Sequence, residues 1–168
     1  MVITSAQRED EQILRTICRE RPAARANIAG SDDFPDIRGR VDFYRVGRGV
    51  VVVAEINGLP SGRGDCREEI FAMHIHEGKS CTGTRRDPFA DTGGHFNPDD
   101  CQHPNHEGDL PPLFGNNGFA WTAVFTNRFR INDIIDRTVV IHRRRDDFTT
   151  QPAGASGAKI ACGEIKRR

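Results

Sequence analysis

Apolar positions along the chain follow two periods. From about Gln7 to Glu20, Ile13, Leu14, Ile17 and Cys18 recur at three- and four-residue spacing, which predicts a short amphipathic helix. Glu9, Asp10 and Glu11 fall in its expected first turn, where the helix dipole favours acids, and Pro22 ends it. Cys18 belongs to the apolar face and is expected in the core. From Ala24 onward the period becomes two. Ala24–Ala29 alternates weakly and Gly39–Val46 more clearly. Gly47-Arg48-Gly49 is a hairpin signal that leads into Val50–Ile56. Further strands are predicted over Ile70–His76, Phe119–Thr126, Phe129–Ile131, Arg137–His142 and Lys159–Ile165, with Trp121 expected to pack. This gives roughly eight short strands with no crossover helices, so the fold class is all-β, a closed or nearly closed antiparallel barrel or sandwich.

Two stretches carry neither period, Glu77–Pro112 and Arg143–Ala158, and both are rich in turn residues. Loops of that length inside a compact domain are functional, or are held by something other than their own ladder. With 168 residues, one domain is expected: a helical extension over 1–22 and a β domain over 23–168. The 24 basic and 24 acidic residues cancel, so global charge gives no reason to expect nucleic acid as a partner. The distribution is uneven. Phe129–Arg168 carries nine basic residues against five acidic, a region that could draw a small anion. No apolar run reaches membrane-spanning length, so no membrane partner is expected. The first residues lack the apolar run of a leader, which gives a cytoplasmic expectation.

The histidines change the picture. Five of the six lie in Met73–Asp109, and the sixth, His142, ends the strand-like run TVVIH. His74 and His76, at i and i+2 on a strand, project from one face. His95 follows two glycines that let the backbone turn tightly. With His142 they make four imidazoles, a set that suits a redox-cycling transition metal, copper above all. His103, His106 and Asp109 form HxxHxxD. They need one more donor to close a tetrahedral zinc site, and His95, through its second ring nitrogen, could serve both metals.

Several blocks together resemble the copper/zinc superoxide dismutases: His74-Ile75-His76-Glu77, Cys81, Gly93-Gly94-His95-Phe96-Asn97-Pro98, Gly108-Asp109-Leu110-Pro111, Gly118-Phe119-Ala120, Arg137–His142, Asp146-Asp147 and Ile160-Ala161-Cys162-Gly163. Their order matches from about residue 24 to 165. The place of Cys81, five residues past His76, is more like the bacterial branch. The resemblance implies a flattened eight-stranded Greek-key barrel with two long loops. It implies copper on His74, His76, His95 and His142, zinc on His95, His103, His106 and Asp109, and a Cys81–Cys162 disulfide. Asp146 would link His74 to His103. The implied reaction is disproportionation of superoxide to dioxygen and hydrogen peroxide by Cu(II)/Cu(I) cycling, with His95 supplying a proton. The alternative on the same barrel is a non-enzymatic copper store or delivery domain. Oligomeric state stays open, a homodimer included.

Three departures from the family pattern bear on function. Lys159 stands where the family places an arginine to guide the anion; it keeps the charge and loses the planar fork. The spacing from His103 to His106 is short, and Cys101 is a rival zinc ligand, with His103 preferred. The second loop has few of the family's charged guiding residues, a role that Arg143, Arg144 and Arg145 could take unless they are simply solvated. Cys66, in an inserted turn, is either free or paired with another chain.

Overall fold

The computed structural model describes residues 5–62, 64 and 68–168; Cys66 lies outside the described residues. The element order is α1 (Ser5–Arg19), β1 (Ala24–Gly30), β2 (Arg38–Val46), β3 (Gly49–Asn57), β4 (Ile70–Phe71), β5 (Met73–His76), β6 (Leu113–Phe114), β7 (Ala120–Thr126), α2 (Ile131–Ile134), β8 (Thr138–His142) and β9 (Lys159–Arg167). Seven strands form one curled antiparallel sheet in the order β5-β8-β9-β1-β2-β3-β7. The short β4 and β6 pair separately. The eight-stranded Greek-key expectation thus holds in outline, as a curled sheet closed over by loops.

Alternation builds the core. Val41 and Phe43 of β2, Val50, Val52 and Ala54 of β3, and Ile75, Val139, Ile141 and Ile165 all point into one apolar cluster. The predicted hairpin forms with Val46 opposite Gly49, and Gly47 at its tip takes φ 53°.

Five expectations are corrected. Helix α1 begins at Ser5, so its first turn holds no acid. Only Ile13 and Ile17 of its apolar set pack, against Tyr44, Val46, Val51 and Val53 on the outer face of β2 and β3; Leu14 is 65% exposed and Cys18 is exposed, not core. The run Ile70–His76 is two strands, not one. At Ala72 the backbone leaves β6 and turns to β8, taking Arg144 O as acceptor and receiving His142 N–H. The run Phe129–Ile131 is not a strand but the entry to α2, where the Asp133 carboxylate accepts from Arg130 N–H at 2.8 Å. Trp121, expected to pack, is 56% exposed on β7.

The edge formed by β5 and β8 positions the histidines. Inward residues Met73, Ile75, Val139 and Ile141 fill the core, so His74, His76, Val140 and His142 face outward. That outer face is buried as well, because the two long loops fold over it.

Candidate metal centre

The first loop is laid along the free edge of β5. His74 bridges Asp109 and His76 bridges His95, with Ile75 N–H donating to Gly108 O and Phe96 N–H donating to Ile75 O. Gly108 allows this approach, since a Cβ there would lie 2.3 Å from Ile75 O. The ladder therefore brings His95 and Asp109 against the two strand histidines. His142 arrives from β8, past a register irregularity at Ile141/His142.

Two groups of donor atoms result: His74, His76, His95 and His142; and His95, His103, His106 and Asp109. Within each group the atoms lie within 4.8 Å of one another. His95 belongs to both. All six imidazoles are buried.

The ring nitrogens left over by hydrogen bonding decide whether these groups fit cations. His76 Nδ1–H donates to Gly93 O at 2.9 Å and His142 Nδ1–H to Gly157 O at 3.2 Å. Their Nε2 atoms are then both acceptors, and they face each other at 3.2 Å. Two lone pairs at that distance repel unless a cation lies between them. His74 Nε2–H and His103 Nε2–H donate to the two oxygens of Asp146, both at 2.9 Å. That leaves His74 Nδ1 and His103 Nδ1 as buried acceptors without a donor, and His95 Nε2 is likewise buried without a partner. On the other side His103 Nδ1 lies 3.1 Å from Asp109 Oδ2, again acceptor against acceptor. His95 Nδ1 and His106 Nδ1 approach the same carboxylate at 2.8 and 3.3 Å. Buried ring nitrogens pointed at a common space, those of His74, His76, His103 and His142 fixed in tautomer by an outer acceptor, are what a metal site requires.

The electrostatics agree. Burial pushes His74 below its ordinary pKa, outweighing the opposing bond to Asp146. Burial pushes His76 well down, with His142 and His95 adding to it, and brings His142 to about 3, with His74 contributing. His74, His76 and His142 are therefore neutral and available as ligands at neutral pH. Burial raises Asp146, but the bonds from His74, the Phe148 N–H and His103 together bring it to about 2. Asp109 is lowered in the same way, with His95, His103 and His106 overcoming its burial.

A model of the copper/zinc superoxide dismutase (SODC) family matches residues 37–165. The chain belongs to the copper/zinc superoxide dismutase family. It is 31% identical over 161 residues to "Superoxide dismutase [Cu-Zn]" of Deinococcus radiodurans, covering 85% of this chain and 84% of that one. The Photobacterium leiognathi protein of the same name is 29% identical over 142 residues, 76% of this chain and 78% of its own. A solved structure, the Cu/Zn superoxide dismutase from Brucella abortus, superposes with a TM-score of 0.71 at 24% identity, covering 85% of this chain and 99% of that one, and shows the shared fold. Copper and zinc are this family's metals, and the two donor groups here are a pair that could hold them.

The residues singled out in the sequence gather as follows. Asp146 joins His74 and His103. Cys81 and Cys162 are bonded, with Cα atoms 5.7 Å apart. Lys159 lines an open cleft of 860 Å³ together with His76, His95 and His142, and its ammonium donates to Phe89 O at 3.2 Å and Gly93 O at 3.3 Å. Cys101 stays exposed, its Sγ 4.0 Å from Asp99 O, and is outside the second donor group, whereas His103 is inside it. Arg143, Arg144 and Arg145 are exposed and do not line the cleft. Sequence reasoning missed the carbonyls of Gly93 and Gly157, which fix two tautomers. The double glycine before His95 was the available signal for the first; nothing marked the second.

Proposed function

We infer that the protein is a superoxide dismutase that converts two superoxide anions and two protons into dioxygen and hydrogen peroxide. The observation that carries this reading is His95, a single buried imidazole whose two nitrogens face two different donor groups. When bound, copper on the first group would supply one-electron cycling between Cu(II) and Cu(I), and zinc on the second a fixed positive charge beside it.

The chain's own residues do the rest. The carbonyls of Gly93 and Gly157 hold His76 and His142 with Nε2 toward the first group. Asp146 holds His74 and His103 with Nδ1 turned inward. His95 can hold a proton at Nε2 while Nδ1 stays toward Asp109, and so can hand that proton to the reduced oxygen; the second proton enters through the open cleft. Lys159 is tethered by two backbone carbonyls at the cleft wall and presents its charge to an incoming anion. Replacing it by alanine is expected to lower the dismutation rate about tenfold at low ionic strength, with less effect at high salt, and arginine is expected to restore the rate. An unchanged rate in Lys159→Ala would remove the guiding role.

The whole reading is tested by metal analysis of the purified protein and a dismutation assay before and after copper loading. Copper-loaded protein without activity would point instead to a copper-binding domain on the same barrel. The cytoplasmic location also stands as a proposal. It requires the Cys81–Cys162 bond to persist against reducing thiols, which thiol labelling in fresh lysate would test.

A further inference from the structure

The segment from Cys101 to Asp109 carries three of the four zinc-side donors, and in it only Asp109 joins a β-bridge. Two side chains from elsewhere in the fold supply what a ladder would. The Gln151 amide meets the peptide groups of His103 on both sides: His103 N–H donates to Gln151 Oε1 at 3.0 Å, and Gln151 Nε2–H donates to His103 O at 2.8 Å. This is the paired exchange that two residues make across an antiparallel sheet, here made by a side chain. From the opposite end, Arg128, just past β7, donates through Nη1 to Pro104 O at 3.1 Å and His106 O at 3.2 Å. The two contacts bracket the ligands His103 and His106.

Gln151 is itself set in place. The Asp147 carboxylate accepts from Thr149 N–H at 2.9 Å, from Thr150 N–H at 2.8 Å and from the Thr150 hydroxyl at 2.5 Å. Thr150 O accepts from Gly154 N–H at 2.7 Å. The turn that presents Gln151 thus begins one residue after Asp146, the carboxylate that holds the His103 ring.

We propose that Gln151 and Arg128 are positioning residues for zinc, forming a two-point backbone clamp that fixes His103 and His106 at the distance the ion requires. The clamp acts through the peptide groups of His103, Pro104 and His106, not through the ring nitrogens. It rests on the assignment of zinc to His95, His103, His106 and Asp109.

The test measures zinc affinity by competition with a chromogenic chelator and the visible spectrum of Co(II) placed in the zinc set, on the full chain with copper loaded. Gln151→Ala is expected to weaken zinc about tenfold and to shift the Co(II) bands, with copper affinity and the unfolding midpoint of the metal-free protein as in wild type. Gln151→Glu can accept from His103 N–H but cannot donate to its carbonyl, so it should fall between wild type and alanine. Arg128→Ala should act in the same direction, and Arg128→Lys, which keeps a donor, should restore part of the affinity. Wild-type zinc affinity and Co(II) bands in both alanine variants would overturn the clamp. So would a joint fall in zinc affinity, copper affinity and metal-free stability, which marks general loop damage. Wild-type protein that takes up no zinc would overturn the metal assignment, and the clamp with it.

Discussion

The two halves of the metal centre are built by different means. Three of the four copper-side histidines sit on β5 and β8, strands paired in register. Their alternation alone sends the imidazoles to one face, and one carbonyl or carboxylate bond each then sets the ring. On the zinc side His103, His106 and Asp109 come from a loop, and while Asp109 bridges to His74 the two histidines depend on side-chain contacts from other elements: Asp146 on the His103 ring, Gln151 on its backbone, Arg128 on His106. A ladder distributes positioning over many equivalent bonds. A clamped loop concentrates it in a few, so single substitutions should fall harder on the zinc half.

The largest expected effect removes the covalent tether. Cys81 lies at the start of the first loop and is bonded to Cys162 of β9 across 81 residues of sequence, packing with Phe89 and Val140. The double substitution Cys81→Ala/Cys162→Ala should destabilise the metal-free protein by roughly 2–5 kcal/mol in denaturant unfolding. The same loop stretch supplies the Phe89 and Gly93 carbonyls that hold Lys159, so the dismutation rate should fall as well. Unfolding unchanged within error would mean that the ladder alone holds this loop, and the contrast between the halves would weaken.

Next in size is the pH response of the metal-free protein, which reports on the strand-borne half. His142 has a folded pKa of about 3 against an ordinary value near 6.5, so between those limits the unfolded chain binds more protons. Stability is full above about pH 6.5 and is lost as pH falls toward 3. The loss reaches on the order of 2 kcal/mol from His142 alone by pH 5. His74 and His76, also lowered, act in the same direction. Unfolding free energies at pH 8, 6.5 and 5 check this; a flat profile would mean the imidazoles are solvated, not packed behind the loops.

The same contrast sets what could be read from the sequence. Strand-borne ligands were legible because HxH and TVVIH carry the two-residue period that fixes their direction. The loop ligands were legible as a candidate set from the HxxHxxD spacing, but their assignment leaned on the resemblance, since spacing in a loop fixes no direction. Gln151 was invisible: an amide among turn residues gives no sign that it will pair with a peptide group 48 positions away. The fold errors have a similar cause. Ile70–His76 is apolar enough for one strand, but its two ends pair with β6 and β8, and no pattern marks the change of partner. Leu14 and Cys18 fit the helical period, yet α1 turns Ile13 and Ile17 to the sheet and leaves Leu14 and Cys18 exposed.

Asp146 holds one ring in each half, so Asp146→Asn tests their inequality directly. An asparagine oxygen can accept from one imidazole only, and its NH2 group meets the other as donor against donor. Zinc affinity should drop between about tenfold and a hundredfold. Copper affinity should drop less, because His76 and His142 keep their own carbonyl acceptors. Equal losses in the two titrations would show that Asp146 orders the centre as one unit.

The smallest expected effect concerns Cys101, and it separates a ligand from a support. A thiolate suits zinc, and Cys101 stands two residues from His103, but its side chain is exposed and outside the donor group. Its backbone is what the fold uses. Asn97 Nδ2–H donates to Cys101 O and Cys101 N–H donates to Asn97 Oδ1, each at 2.9 Å, the same amide-to-peptide exchange that Gln151 makes with His103. Cys101→Ser keeps both bonds and should leave zinc affinity within about twofold of wild type. Asn97→Ala breaks both bonds and should weaken zinc severalfold although the substituted residue is four positions from the cysteine and is no ligand. A tenfold loss in Cys101→Ser with none in Asn97→Ala would place the thiolate among the ligands, and the zinc half would then be built by its donors and not by the amides that hold its backbone.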